Sequence, residues 1–116
     1  MVRKVVTLFA LLLMLQASNA FAHAGGHGPV SEEMARAIAL DAANQFSEFD
    51  PGLGFGRLGA SWQGLSEQSV TIVTRGEGYY IVGVENRAEG KTMYVLMSRS
   101  GDIYDANFTG EFPKVK

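Results

Sequence analysis

Apolar positions along the chain fall into three successive patterns. Val5 to Leu15 is an apolar run broken only by Thr7. From Glu32 to about Ser47, apolar residues recur at helical spacing: Met34, Ile38 and Phe46, with Ala35, Ala39 and Ala42 between them. That period predicts an amphipathic helix, with Arg36 and Asp41 off the stripe. Ser31 stands where an N-cap belongs. Glu32 and Glu33 follow in the first turn, where the helix dipole favours negative charge. Three alanines on the stripe would let this helix lie close on a sheet. From Ala60 the pattern changes to short apolar runs broken by glycine turns.

The runs predict strands. Ala60-Ser61-Trp62 is a short candidate. Ser69 to Thr74 is rich in Val, Ile and Thr, and Arg75 to Gly78 turns the chain. Tyr79 to Asn86 places Tyr80, Val82 and Val84 on one face, and Arg87 to Gly90 turns again. Thr92 to Ser98 sends Tyr94 and Leu96 one way and Met93, Val95 and Met97 the other. Ser100-Gly101-Asp102 leads into a last strand, Ile103 to Phe108. Strands joined by turns this short pair as antiparallel neighbours, because parallel pairs need long crossovers. The expected class is α+β, with one N-terminal helix packed on a four-stranded antiparallel meander. Between helix and sheet, Phe49 to Gly59 is a breaker segment. Asp50-Pro51-Gly52 is turn chemistry, and a connection this long is either mobile or packed through Leu53, Phe55 and Leu58.

The first apolar run changes the reading of the N-terminus. Arg3 and Lys4 precede it, and small residues with an A-x-A pattern at Ala20 and Ala22 follow it. This is the layout of a secretory signal peptide, and the run is short for a membrane span of about 20 residues. The expected organisation is a signal peptide at 1–22, a flexible His/Gly tail at 23–30 and one α+β domain at 31–112. The expected location is the periplasm, with no membrane attachment after cleavage. Cutting after Ala22 leaves eight basic and twelve acidic residues, a net charge of −4. That balance argues against nucleic acid as a partner. The chain has no cysteine, which rules out disulfides, thiolate metal sites and a Cys nucleophile.

Several of these residues carry a resemblance. His23 to Gly28, the Ser61-Trp62 pair, Met93-Tyr94-Val95, and Gly101…Tyr104…Ala106-Asn107-Phe108-Thr109-Gly110 resemble an uncharacterised proteobacterial family of small periplasmic proteins. In layout that family is similar to PepSY domains. The closing motif is the most specific part, and the long Asp50–Gly59 segment departs from the pattern. PepSY likeness implies a binding or inhibitory module rather than an enzyme, with a periplasmic protein or peptide as its partner.

Candidate chemistry concentrates in the tail. Cleavage after Ala22 exposes His23 with a free amine, and His27 follows four residues on. Cleavage after Ala20 or Ala24 instead places His23 or His27 third from the terminus. Each outcome joins amine and imidazole nitrogens in a set that suits Cu(II) or Ni(II). The competing reading is a polar, flexible leader. Gly54-Phe55-Gly56-Arg57-Leu58-Gly59 spells G-x-G-x-x-G, but a helix precedes it and a sheet follows, which is no dinucleotide-binding context. Asp102, Asp105 and Glu111 lack the spacing of a calcium loop. Trp62, Tyr79, Tyr80, Tyr94, Tyr104 and Phe108 either line a groove or pack across the sheet. Met93 and Met97 share a strand face and suit either core filling or Cu(I). Asn107-Phe108-Thr109 spells a glycosylation sequon, although Asn107 at a strand end also suits a backbone turn. The chain has two histidines, both in the tail, and no G-x-S-x-G or H-E-x-x-H. The expected class is therefore a binding module, not an enzyme.

Overall fold

The computed structural model describes residues 28–115. Helix α1 (Glu32–Phe46) begins where the sequence places it. The Ser31 side chain accepts a hydrogen bond from the Met34 amide at 3.0 Å. Its buried line is Ala35, Ala39, Ala42, Ala43 and Phe46. Met34 was expected on that line and instead is 51% exposed. Ile38 is half-buried. The helix is rolled so that its alanines, rather than its long side chains, meet the sheet, which brings the two backbones close.

The sheet is a meander in the order β1-β2-β3-β4, every pair antiparallel. The strands are β1 (Val70–Gly76), β2 (Tyr79–Asn86), β3 (Lys91–Ser98) and β4 (Ile103–Asn107). Together with the helix they make the expected α+β fold. Val82, Val84, Met93, Val95 and Met97 form the floor of the main core and are fully buried. Helix α1 lies mainly over β1 and β2. Leu53, Phe55 and Leu58, from the connection after the helix, pack on the same core. Met93 and Met97 therefore serve as core filling.

Two irregularities set which side chains face where. The β1–β2 register shifts between Ile72 and Thr74, so Val73 is an extra residue on the edge strand. Such a bulge changes the alternation of faces. Beyond it Arg75 lies opposite Tyr80 and reaches α1, where its guanidinium grips both oxygens of Glu32, with the Nη2 contact at 2.9 Å. Arg75 and Gly76 were expected in a turn. The strand instead runs on through them, Arg75 pairing with Tyr80 and Gly76 with Tyr79 of β2. A second shift between Leu96 and Met97 leaves Tyr104 as the extra residue of β4.

Ala60-Ser61-Trp62 is a 3-10 turn, not a strand. Trp62 N–H donates to Gly59 O at 3.1 Å, and Gln63 N–H to Ala60 O at 3.0 Å. Burial of the Trp62 ring fixes this segment, and no strand among the described residues supplies a ladder. On the far face of the sheet, Phe112 closes a small second cluster over Ile81 and Leu96, with Tyr79, Tyr94 and Val115 around it. No helix among the described residues is long and apolar enough to cross a membrane.

Candidate functional site

The densest polar arrangement sits at the β2–β3 hairpin. Asn86 ends β2 and is completely buried. Its Nδ2 donates to Ser61 Oγ at 2.9 Å, and its Oδ1 accepts from the Glu89 amide at 3.2 Å. Ser61 Oγ in turn donates to Glu89 Oε2 at 2.7 Å, and Trp62 Nε1–H donates to Glu89 Oε1 at 3.3 Å. The hydrogen bonds from Ser61 and Trp62 hold the Glu89 carboxyl below its usual pKa, with Lys91 helping. A carboxylate stabilised in that way is a weak base for a serine hydroxyl. The network is suited to holding Trp62 against the hairpin, and each of the four side chains has its polar partner inside it.

Trp62 also joins the aromatic residues. Its ring lies 5.9 Å from Phe108, whose other neighbour, Phe55, is 5.3 Å away, and Lys91 Nζ stands 5.3 Å over the Phe108 ring. The Ser61-Trp62 pair and the closing motif, far apart in sequence, thus meet in space. Within that motif Asn107 builds the exit turn. Its Oδ1 accepts from the Thr109 and Gly110 amides at 3.2 and 2.8 Å, and its Nδ2 donates to Glu111 O at 2.9 Å. Gly110 has φ +79°, and a Cβ there would stand 3.3 Å from the Tyr94 ring. The amide of the sequon asparagine is therefore committed to backbone.

A second feature is the outer edge of the sheet. Strand β4 has one neighbour, β3, among the described residues. Ile103 and Tyr104, at its bulged start, are 37% and 56% exposed. Exposed apolar side chains on an edge strand form the kind of surface to which a peptide strand can add, and on β4 the Ala106 amide already donates to Asp105 Oδ1 at 2.8 Å. Trp62, Tyr80 and Phe108 serve packing, while Tyr104 faces solvent.

At the end of the strands away from the β2–β3 hairpin the incoming chain is pinned. Val30 N–H donates to Arg99 O at 2.7 Å, and Tyr80 Oη donates to Val30 O at 3.1 Å. The Arg99 guanidinium lies 4.7 Å over the Tyr80 ring. His23 and His27, the expected metal ligands, lie outside the described residues. Among the described residues no three His, Cys, Asp or Glu side chains gather as a metal site. The G-x-G-x-x-G segment runs from the helix into the 3-10 turn, so it has no strand before it and no helix of useful length behind it. Sequence reasoning missed Asn86 and Glu89. A polar residue ending a strand and a glutamate in a turn read as solvated, and only the fold brings Ser61 to them.

The class is thus a small α+β domain, one helix on a meander sheet, with a polar latch at one hairpin and, among the described residues, an edge strand with one strand neighbour. The chain belongs to a family of unknown function, DUF6488, whose model matches residues 1–111. No curated protein and no solved structure matches it.

Proposed function

We propose that this chain is an exported, periplasmic binding module, PepSY-like in layout and non-catalytic, that takes a protein or peptide partner along β4. The observation that carries this reading is the uncovered edge with Ile103 and Tyr104 exposed. The leader pattern of residues 1–22 supports export. Backbone pairing would supply affinity, and the two apolar side chains would supply contact area. The test is capture from a periplasmic extract by the exported protein and by a Tyr104→Asp variant. A partner held by the first and lost by the second is the expected result. Equal capture by both removes the edge from the reading.

A second reading rests on the tail sequence. Cleavage at any of three points leaves an amine and an imidazole placed for Cu(II) or Ni(II): His23 and His27 after a cut at Ala20 or Ala22, and His27 alone after a cut at Ala24. A copper titration of exported protein against a form lacking residues 23–28 decides it. Affinity that survives the deletion excludes the tail as the site.

A further inference from the structure

The segment after α1 covers part of the core in an unusual way. Among the described residues, Asp50 to Arg57 makes no backbone hydrogen bond to the helix or the sheet. The nearest such bonds are Phe49 N–H to Gln45 O at 3.1 Å and Leu58 N–H to Phe46 O at 2.8 Å. Inside the segment, the Gly52 amide is satisfied locally by Asp50 Oδ1 at 2.8 Å. Attachment comes from side chains alone. Phe55 stacks between Phe46, at 6.3 Å, and Phe108, at 5.3 Å, and Leu53 packs beside them. Gly54 and Gly56 hold positive φ, with open space where a Cβ would stand, so the backbone bends without being wedged in place. Leu53, Phe55 and Phe108 all pack on the main core. In the antiparallel register Val95 pairs with Ala106 and Tyr94 with Asn107, so the chain leaves β4 at Phe108 toward the Met93 end of β3.

Regions of a protein open separately when few buried contacts and few hydrogen bonds tie them to the rest. We propose that Asp50–Arg57 is a detachable strap that lifts on its own between the anchored Phe49 and Leu58, uncovering Met93 and Val95 while helix and sheet stay folded. The device is independent of the β4 reading, because it concerns the cover of the core and not the strand edge, and needs no partner.

The three methionines of the described domain make the test internal. Met34 is exposed, Met93 is fully buried in the core on which Leu53 and Phe55 pack, and Met97 is fully buried toward the Arg99 end of the same strand. Hydrogen peroxide transfers one oxygen atom to a thioether, giving the sulfoxide and water. Site-resolved mass spectrometry of the exported protein in peroxide should rank the rates Met34, then Met93, then Met97. Amide exchange of β2 and β3, measured in parallel, should follow Met97 and not Met93. Phe55→Ala should speed Met93 oxidation by about tenfold or more and leave Met97 within about twofold. Gly54→Ala strains the closed strap without removing a side chain, and should raise the Met93 rate by about threefold or more. It provides the readout if Phe55→Ala fails to fold. Equal rates at Met93 and Met97 in the unmodified protein would overturn the proposal, because global unfolding would then be the route. Unchanged Met93 protection in a folded strap variant would overturn it as well.

Discussion

Asn86 is the polar side chain on which the hairpin latch turns, and its removal gives a quantitative expectation. Asn86→Ala deletes two hydrogen bonds, to Ser61 Oγ and from the Glu89 amide, at a position with no solvent exposure. At about 1 kcal/mol net for each bond, with a further share for groups left unpaired, the loss is about 2–3 kcal/mol. For a domain of this length that lowers Tm by roughly 10–20 °C. Asn86→Asp is the sharper variant. It replaces a donor with an acceptor facing a serine whose own proton already goes to Glu89, and it buries a charge beside a second carboxylate. Burial and like charge raise the folded pKa of the new group above its unfolded value of about 3.9. Its destabilisation is therefore complete at neutral pH and shrinks as pH falls toward the folded value. The native protein moves the other way. Hydrogen bonding to Arg75 lowers the pKa of Glu32, and hydrogen bonding to Ser61 and Trp62 lowers that of Glu89. Their stabilisation is present above the unfolded pKa and fades as pH drops through the folded one. Urea melts from pH 7 to pH 3 should show the gap between Asn86→Asp and native protein closing with acid. A gap that widens, or an Asn86→Ala melt within about 0.5 kcal/mol of native, would refute the latch.

Three further outcomes follow from the same contacts. Glu89→Gln should flatten the acid limb of the stability curve below about pH 4, and an unchanged slope would show that the Glu89 bonds contribute nothing. Ala39→Leu forces a larger side chain between helix and sheet at a fully buried site, and should cost about 1–3 kcal/mol in a denaturant melt. Gly110→Ala combines a left-handed φ with a close approach to the Tyr94 ring, and should cost about 1–3 kcal/mol, with near-ultraviolet circular dichroism reporting the shifted tyrosine.

The helix and the four main strands were legible because each obeys a single period. Ser31 with two glutamates and an alanine line marks one start, and short glycine turns separate the strands. What the sequence hid are features decided by distant partners. Trp62 reads as a strand residue by composition, yet its ring is claimed by Phe108 and its indole N–H by Glu89, residues reached only after the sheet forms. The bulge at Val73 leaves no local signature. It is recognised only because Arg75 must face the helix to meet Glu32. The roll of α1 that exposes Met34 depends on alanine packing, which periodicity averages away. On the functional side, the exposure of Tyr104 was illegible, because an aromatic in a strand reads as core until the sheet order shows β4 at the edge. The proposal that the histidines are metal ligands rests on their chemistry alone, and they stand outside the described residues.

Binding along β4 is the claim with the most to lose, and cross-linking inside the cell addresses it directly. A photoreactive phenylalanine placed at position 104 would sit on the edge strand, and the same group at position 45 would sit on the exposed side of α1. Irradiation should give one adduct of discrete mass from position 104 and none from position 45. Absence of an adduct at 104, or the same adducts from both positions, would contradict the account.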